Sequence, residues 1–395
     1  MKTPFEVAQV VEQFEAQLPP GRLTAYHRQT LSAIRRCRTA ALGGHIDACD
    51  ECGHLRISYN SCRNRHCPKC QGLNKEMWVI QQEDQLLPTT YFHVVFTIPH
   101  ELNPLCLHQP VLMYNLLFKA AWYTLDTFAR DPKWLGAKTA ATMVLHTWGQ
   151  NLSLHPHLHC IVPNGGLTAQ GQWQLHRRGN ARFLYPVHAM KKVFKAFFLK
   201  QLKTAITASA LPLPKEVSAQ GPAFYRWKEN LYQKDWVVFT KKPFAGVQNV
   251  VKYLARYSHR VAITNSRILD IDQHNVRFAY KDYADGAKRK EMTLTGVQFL
   301  HRFCLHFLPP RFRKIRQFGF LANACKCKHL ALARKALGLK QRQLLSKAQR
   351  KNLAKERLFD RQVDCCPCCR KGKMVIIGVF APNKDPPVLN LPGLQ

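Results

Sequence analysis

Acidic side chains are scarce in this sequence. Only 24 Asp and Glu stand against 59 Lys and Arg in 395 residues, a formal net charge of +35, and no carboxylate occurs between Glu291 and Glu356. Solubility needs far less charge than this, so the deficit points to a polyanionic partner, nucleic acid before any other. Long apolar runs are also missing: none approaches the roughly 18 residues that would suggest a spanning helix. The opening Met1-Lys2-Thr3-Pro4-Phe5-Glu6 lacks the basic-then-apolar form of a secretory signal. No membrane association and a place inside the cell are therefore expected. There is no internal repeat and no low-complexity tract, and the apolar share of 46% is that of an ordinary globular chain.

Cysteine, by contrast, is plentiful and clustered. Of 15 cysteines, six fall between Cys37 and Cys70 and four between Cys365 and Cys369, while Cys106, Cys160 and Cys304 stand alone as small core residues. In a reducing compartment such clusters read as metal ligands rather than disulfides. The stretch 37–70 has too little apolar periodicity to fold on its own core, so a metal must organise it. Cys49-x2-Cys52 and Cys67-x2-Cys70 are two knuckles with fourteen residues between them, close to the spacing of a structural four-cysteine zinc site. Cys37, His45, Cys62 and His66, interleaved with that set, supply a full complement for a second zinc; the alternative is that His45, His54 and His66 only donate hydrogen bonds or touch phosphate. Arg63, Arg65 and Lys69, with Asn60 and Asn64, suit contact with a DNA backbone. Near the end of the chain Cys366-x2-Cys369 is a further knuckle, for which Cys325, Cys327 and His329 are candidate partners.

Apolar periodicity predicts helices near the N-terminus and over about 22–38, then a β-rich run at 91–98 stopped by Pro99. Helices to about 134 precede strands at 142–146 and 158–162, a long helix near 186–209, a strand at 236–240 and a helix over about 245–257. Short strands at 260–264, 267–271 and 275–280 are expected to complete one sheet. The carboxylate-free stretch that follows reads as a basic arm, since a face without counter-charges repels itself unless phosphates neutralise it. Three segments result: a helical and zinc-binding DNA-binding domain at 1–88, a domain of mixed strands and helices at 89–300, and a basic helical C-terminal region at 301–395.

Two further groups carry chemistry. In His155-Pro156-His157-Leu158-His159 strand alternation sets His157 and His159 on one face, where they can share a cation that polarises a phosphodiester. Histidines two apart in a strand are also often plain polar-face residues. Tyr253 and Tyr257, at i and i+4, lie on one side of a helix. Aromatics at that spacing usually belong to a core, but Lys252, Arg256 and Arg260 surround these two, a setting that suits phosphate and the activation of a phenol whose ordinary pKa is about 10.

The motifs Cys49-Asp50-Glu51-Cys52-Gly53-His54, Ser61 to Cys70, His146-Thr147-Trp148-Gly149-Gln150, His155 to Cys160, Tyr253 to Arg260 and Tyr280-Lys281-Asp282-Tyr283 together resemble the rolling-circle transposases of bacterial insertion sequences, the insertion-sequence-ninety-one family of the HUH endonucleases. The resemblance implies an α+β fold with a central antiparallel sheet and flanking helices. It implies that His157 and His159 bind a catalytic Mg or Mn ion, and that Tyr253 and Tyr257 are nucleophiles giving a 5′-phosphotyrosine and a free 3′-OH on single-stranded DNA, the partner being the single-stranded or hairpin ends of an element in a bacterial cytoplasm, near the nucleoid. The covalent link preserves bond energy, in keeping with the lack of a Walker phosphate loop. For the third ligand Gln150 is the first choice, with His146 and His259 behind it.

Overall fold

The computed structural model describes residues 4–176, 184–208, 222–241, 243–244, 246–247, 249–251, 253, 260–283, 285–341, 344–359 and 365–384. Its elements run α1 (Val7–Phe14), α2 (Ala25–Arg35), β1 (Gly44–Cys49), β2 (Leu55–Tyr59), α3 (Gly72–Glu83), β3 (Tyr91–Thr97), α4 (Asn103–His108), α5 (Pro110–Arg130), β4 (Ala140–Trp148), β5 (Leu154–Pro163), β6 (Gly166–Leu167), β7 (Trp173–Gln174), α6 (Val187–Thr207), α7 (Pro222–Gln233), β8 (Val237–Thr240), β9 (Ile268–Ile271), β10 (Asn275–Asp282), β11 (Lys288–Thr295), α8 (Gly296–Cys304), β12 (Ile315–Gly319), α9 (Lys326–Ala336), α10 (Lys347–Phe359) and β13 (Met374–Phe380).

A mixed α/β architecture is organised on a five-stranded sheet of order β12-β4-β5-β3-β8, antiparallel at every join. Alternation along its strands sorts two faces. Phe92, Val94 and Phe96 of β3, Ala141, Met143 and Leu145 of β4, and Leu158, Cys160 and Val162 of β5 join one apolar core with Leu117, Ala121 and Leu125 of α5 and Phe194 and Phe198 of α6. The intervening residues, which include His93, His146, His157 and His159, consequently face the other way. β4 is buried along its full length, so both of its faces are covered.

Strands β9, β10 and β11 form a separate three-stranded sheet rather than extending the central one, and 260–264 is irregular. Helices α1 and α2 pack there, not on the cysteine-rich module alone: Val7, Val11, Phe14 and Leu31 share a core with Phe278, Phe299 and Phe303. Gly296 permits this approach, because a Cβ at that position would meet the Phe14 ring at 2.1 Å.

β12, hidden in the carboxylate-free stretch, is an edge of the central sheet, and β13 returns to pair with β1 beside β2. Gly319 ends β12 with φ of +66°, where a Cβ would lie 1.9 Å from the Thr139 carbonyl oxygen. No helix among the described residues is long and apolar enough to cross a membrane.

Candidate active site and metal centres

Register brings four imidazoles to one place. His146 of β4 lies opposite His157 of β5, and Val95 and Val144 flank His159 on either side. His146, His157 and His159 each offer a nitrogen within 4.8 Å of the others, and their rings meet steeply, at 69° to 85°. His157 Nδ1–H donates to the His155 carbonyl oxygen at 2.7 Å. That bond fixes the tautomer and leaves the Nε2 lone pair for a cation. Burial first, and neighbouring positive charge after it, holds the His157 imidazole down at about 4 and that of His159 well below its ordinary range. Neutral imidazoles are the metal-binding form.

The imidazole that joins the expected pair is that of His146. Gln150 sits in the β4–β5 turn, where its main-chain carbonyl oxygen accepts from the Arg267 guanidinium. Three imidazoles fit a first-row divalent ion such as manganese better than magnesium, whose preference is for oxygen ligands.

Tyr253 stands beside this set. Its hydroxyl is 3.0 Å from His159 Nδ1 and 2.5 Å from His93 Nε2, and those two nitrogens are 3.0 Å apart. The ring rests on Phe244 and in a small cluster with Tyr91, Ile161 and Val250. His93, buried and held down at about 3 by desolvation and then the Lys241 charge, was not singled out in the sequence. Its one signal is position: on the 91–98 run it alternates onto the polar side. Tyr257, Lys252, Arg256 and His259 lie outside the described residues.

The cysteines form two groups, paired otherwise than by proximity in sequence. Cys37, Cys62, Cys67 and Cys70 make one; Cys49 and Cys52 meet Cys366 and Cys369 in the other. The reason is the β1–β2 hairpin. Cys49 and Cys52 sit at its tip and Cys37 and Cys62 at its base, a strand length of roughly 17 Å apart at about 3.3 Å per residue. His45 and His66 join neither group: His45 lies 3.7 Å from Asp47, and His66 is half-buried with its ring 4.8 Å from that of Phe307. Cys325 turns its sulfur toward the Gly319 and Ala322 carbonyls, so it and its neighbours do not complete the C-terminal knuckle.

Among the expected DNA contacts, Arg65 is committed internally, donating to the carbonyls of Leu308, Pro309 and Phe312. Lys69 is paired with Glu6. Arg260 lies near His157 and His159, lowering both. Arg63 and Arg65 both line a groove of about 1180 Å³ between α3, β12 and α10, together with Arg311, Arg313, Lys326, Lys347 and Arg350, and no carboxylate among the described residues lines it. Arg63 and Arg311 both have positive φ, 54° and 60°, a costly backbone conformation that here turns two guanidinium-bearing residues to the same wall. Lys314 connects groove and histidines: it lines the groove and donates to the Arg260 carbonyl oxygen.

Two family models match the chain. Residues 6–98 match a "Transposase zinc-binding domain" and residues 140–329 a family described as "Putative transposase". The "Putative transposase y4qJ" of Sinorhizobium fredii is 43% identical over 371 residues, covering 92% of each chain. The chain belongs to the insertion-sequence-ninety-one family of transposases. The "Transposase for insertion sequence element IS801" of Pseudomonas savastanoi pv. phaseolicola is 29% identical over 313 residues, 78% of this chain and 73% of its own. No solved structure gave a significant match. For this transposase DNA is the partner its membership names, and the zinc-binding domain accounts for structural zinc at its cysteines.

Acid should unfold the transposase through its buried imidazoles. His306, 2% exposed and held down at about 4 by burial, bonds Thr147 and the Leu152 carbonyl. Its folded value lies below the ordinary 6.5, so the stability tied to its neutral form is complete above about 6.5 and is lost as pH falls toward 4. In urea unfolding, His306→Gln should reduce the slope of stability against pH in that window by about 1.4 kcal/mol per pH unit, one proton. An unchanged slope would remove His306 from the account.

Proposed function

We propose that this transposase nicks and rejoins single-stranded DNA by a HUH-type, rolling-circle mechanism in which Tyr253 forms a 5′-phosphotyrosine. The observation that carries this reading is the Tyr253 hydroxyl at 3.0 Å from His159 Nδ1, with His159 a member of the three-imidazole set. His146, His157 and His159 would hold a divalent cation, manganese or magnesium, which when bound polarises a phosphodiester oxygen. Tyr253 supplies the nucleophile. Its O–H donates to His93 Nε2, which aims the phenolic oxygen, and the proton passes to solvent as that oxygen bonds to phosphorus. The P–O3′ bond breaks and the departing 3′-oxygen leaves protonated as a free 3′-OH. Arg260 adds fixed positive charge near the scissile phosphate. The carboxylate-free groove, with Trp78 and Phe312 among its walls, suits a strand that presents both phosphates and unpaired bases. Tyr257 is proposed as acceptor of the second strand, as the family resemblance implies, and the ends of the chain's own element, single-stranded or folded as hairpins, as its substrate.

The test is incubation with such single strands and Mn or Mg. A denaturation-resistant protein–DNA adduct is expected, and His157→Ala should remove it while leaving affinity within about twofold. A tight complex that never becomes covalent would instead mean a DNA-binding regulator without cleavage chemistry.

A further inference from the structure

We infer that Cys49, Cys52, Cys366 and Cys369 hold a zinc ion of their own, a clasp that fastens the end of the chain to the N-terminal module. Neither family match contains this site: one ends at residue 98 and the other at 329, so half of the ligand set lies beyond both.

The geometry is that of a tetrathiolate. Cys49 Sγ is 3.7 Å from Cys369 Sγ and Cys52 Sγ is 3.7 Å from Cys366 Sγ, with all four sulfurs within 4.8 Å. Sulfurs about 2.3 Å from a common centre at tetrahedral angles stand about 3.8 Å apart, whereas a disulfide requires about 2.05 Å.

Both halves fold alike, which chance clustering of thiols would not produce. In each knuckle the residue after the second cysteine has positive φ, Gly53 at 68° and Arg370 at 59°. Its N–H donates at 3.1 Å to the carbonyl of the first cysteine, Gly53 to Cys49 and Arg370 to Cys366. Backbone N–H groups also point at sulfur on both sides: those of Glu51 and Cys52 at Cys49 Sγ, of Cys368 at Cys366 Sγ and of Gly372 at Cys369 Sγ. Such donors stabilise thiolate over thiol. A side chain at 372 would obstruct the approach, its Cβ falling 2.5 Å from Cys49 Sγ. The β1–β13 ladder ends with Cys49 opposite Met374 and so delivers the second knuckle to the first.

The clasp has a mechanical consequence. Between β12 and β13 the chain carries α10, which brings Lys347 and Arg350 to the basic groove and whose Arg357 bridges Glu76 and Glu83 of α3. Closing the loop at 366–369 limits how far that wall can swing.

Metal analysis of the full-length protein is expected to give two zinc ions per chain. The pairs Cys366→Ser/Cys369→Ser and Cys49→Ser/Cys52→Ser should each leave one, and all four changes together should still leave one, because the two knuckles share a single ion. Full zinc content in Cys366→Ser/Cys369→Ser overturns the proposal. The wild-type protein gives an answer that does not depend on a variant folding. Under stepwise chelation with mass-spectrometric alkylation, Cys49, Cys52, Cys366 and Cys369 should become reactive together, through the exposed Cys52, before Cys37, Cys62, Cys67 and Cys70, none of which is exposed. Release of Cys366 and Cys369 apart from Cys49 and Cys52, or a mass 2 Da lower for each disulfide found among them, would sink it.

Discussion

Replacing Tyr253 by Phe is expected to abolish covalent capture of DNA, lowering its rate by a factor on the order of 10⁴ or more, while DNA affinity changes little. The substitution removes one oxygen and keeps the ring. Contacts with Phe244 and the cluster of Tyr91, Ile161 and Val250 survive, so the stability lost is that of the hydroxyl's bonds to His93 and His159, about 1 kcal/mol. A folded, DNA-binding and inert variant is thus the predicted product, distinguishable from a misfolded one by a cooperative melting curve lowered by no more than about 4 °C. The measurement is a single-turnover assay with denaturing electrophoresis, Tyr257 left intact. If Tyr253→Phe still formed the adduct at a comparable rate, the nucleophile would lie elsewhere and the hydrogen bonds to His93 and His159 would have to be read as core packing.

How far such a site is visible before folding depends on whether its parts lie on one element or several. His157 and His159 are two residues apart on one strand, and period-two alternation alone puts them on one face. His146 and His93 come from the neighbouring strands β4 and β3. Their place beside the pair follows from register, which the β4–β5 turn length and the strand order set and local spacing does not express. Spacing alone favours Gln150, nearer the hairpin tip, because it carries no information on that register. The same reason separates what could be known of the cysteines from what could not. Each x2 knuckle was evident, but any knuckle offers the same two sulfurs, and the choice of partner was made by a hairpin that holds tip and base apart and by a strand more than 300 residues later in the chain. β12 escaped notice because its Arg316 and Gln317 interrupt the apolar pattern. Arg316 is spent on the rings of Phe118 and Phe312, 4.2 and 4.9 Å from their centroids, so a cation counted as part of a solvated arm is in fact a packing residue at a sheet edge.

Loss of the zinc at Cys37, Cys62, Cys67 and Cys70 should have the larger effect on the fold. Cys37 and Cys67 are both fully buried in the core that α1 and α2 share with α8, so an empty site leaves thiols crowded with no cation to hold them. The 62–71 segment also carries Arg65, whose guanidinium ties it to the carbonyls of Leu308, Pro309 and Phe312, and Gln71, which holds the Asn64 carbonyl. Zinc therefore fixes both the module and its seat on the rest of the protein. Structural zinc contributes about 10–16 kcal/mol in isolated modules, as much as the whole stability of a typical domain. Cys67→Ser is accordingly expected to lose one zinc and several kcal/mol, roughly 10 °C or more in melting temperature, and to open 37–71 to proteolysis. Chelation of the wild-type protein should give the same cleavage pattern. A Cys67→Ser protein that kept its full zinc content, melting temperature and protease resistance would show that the buried cysteines pack as ordinary small apolar residues, and the N-terminal core would then need another explanation for the order of its loops.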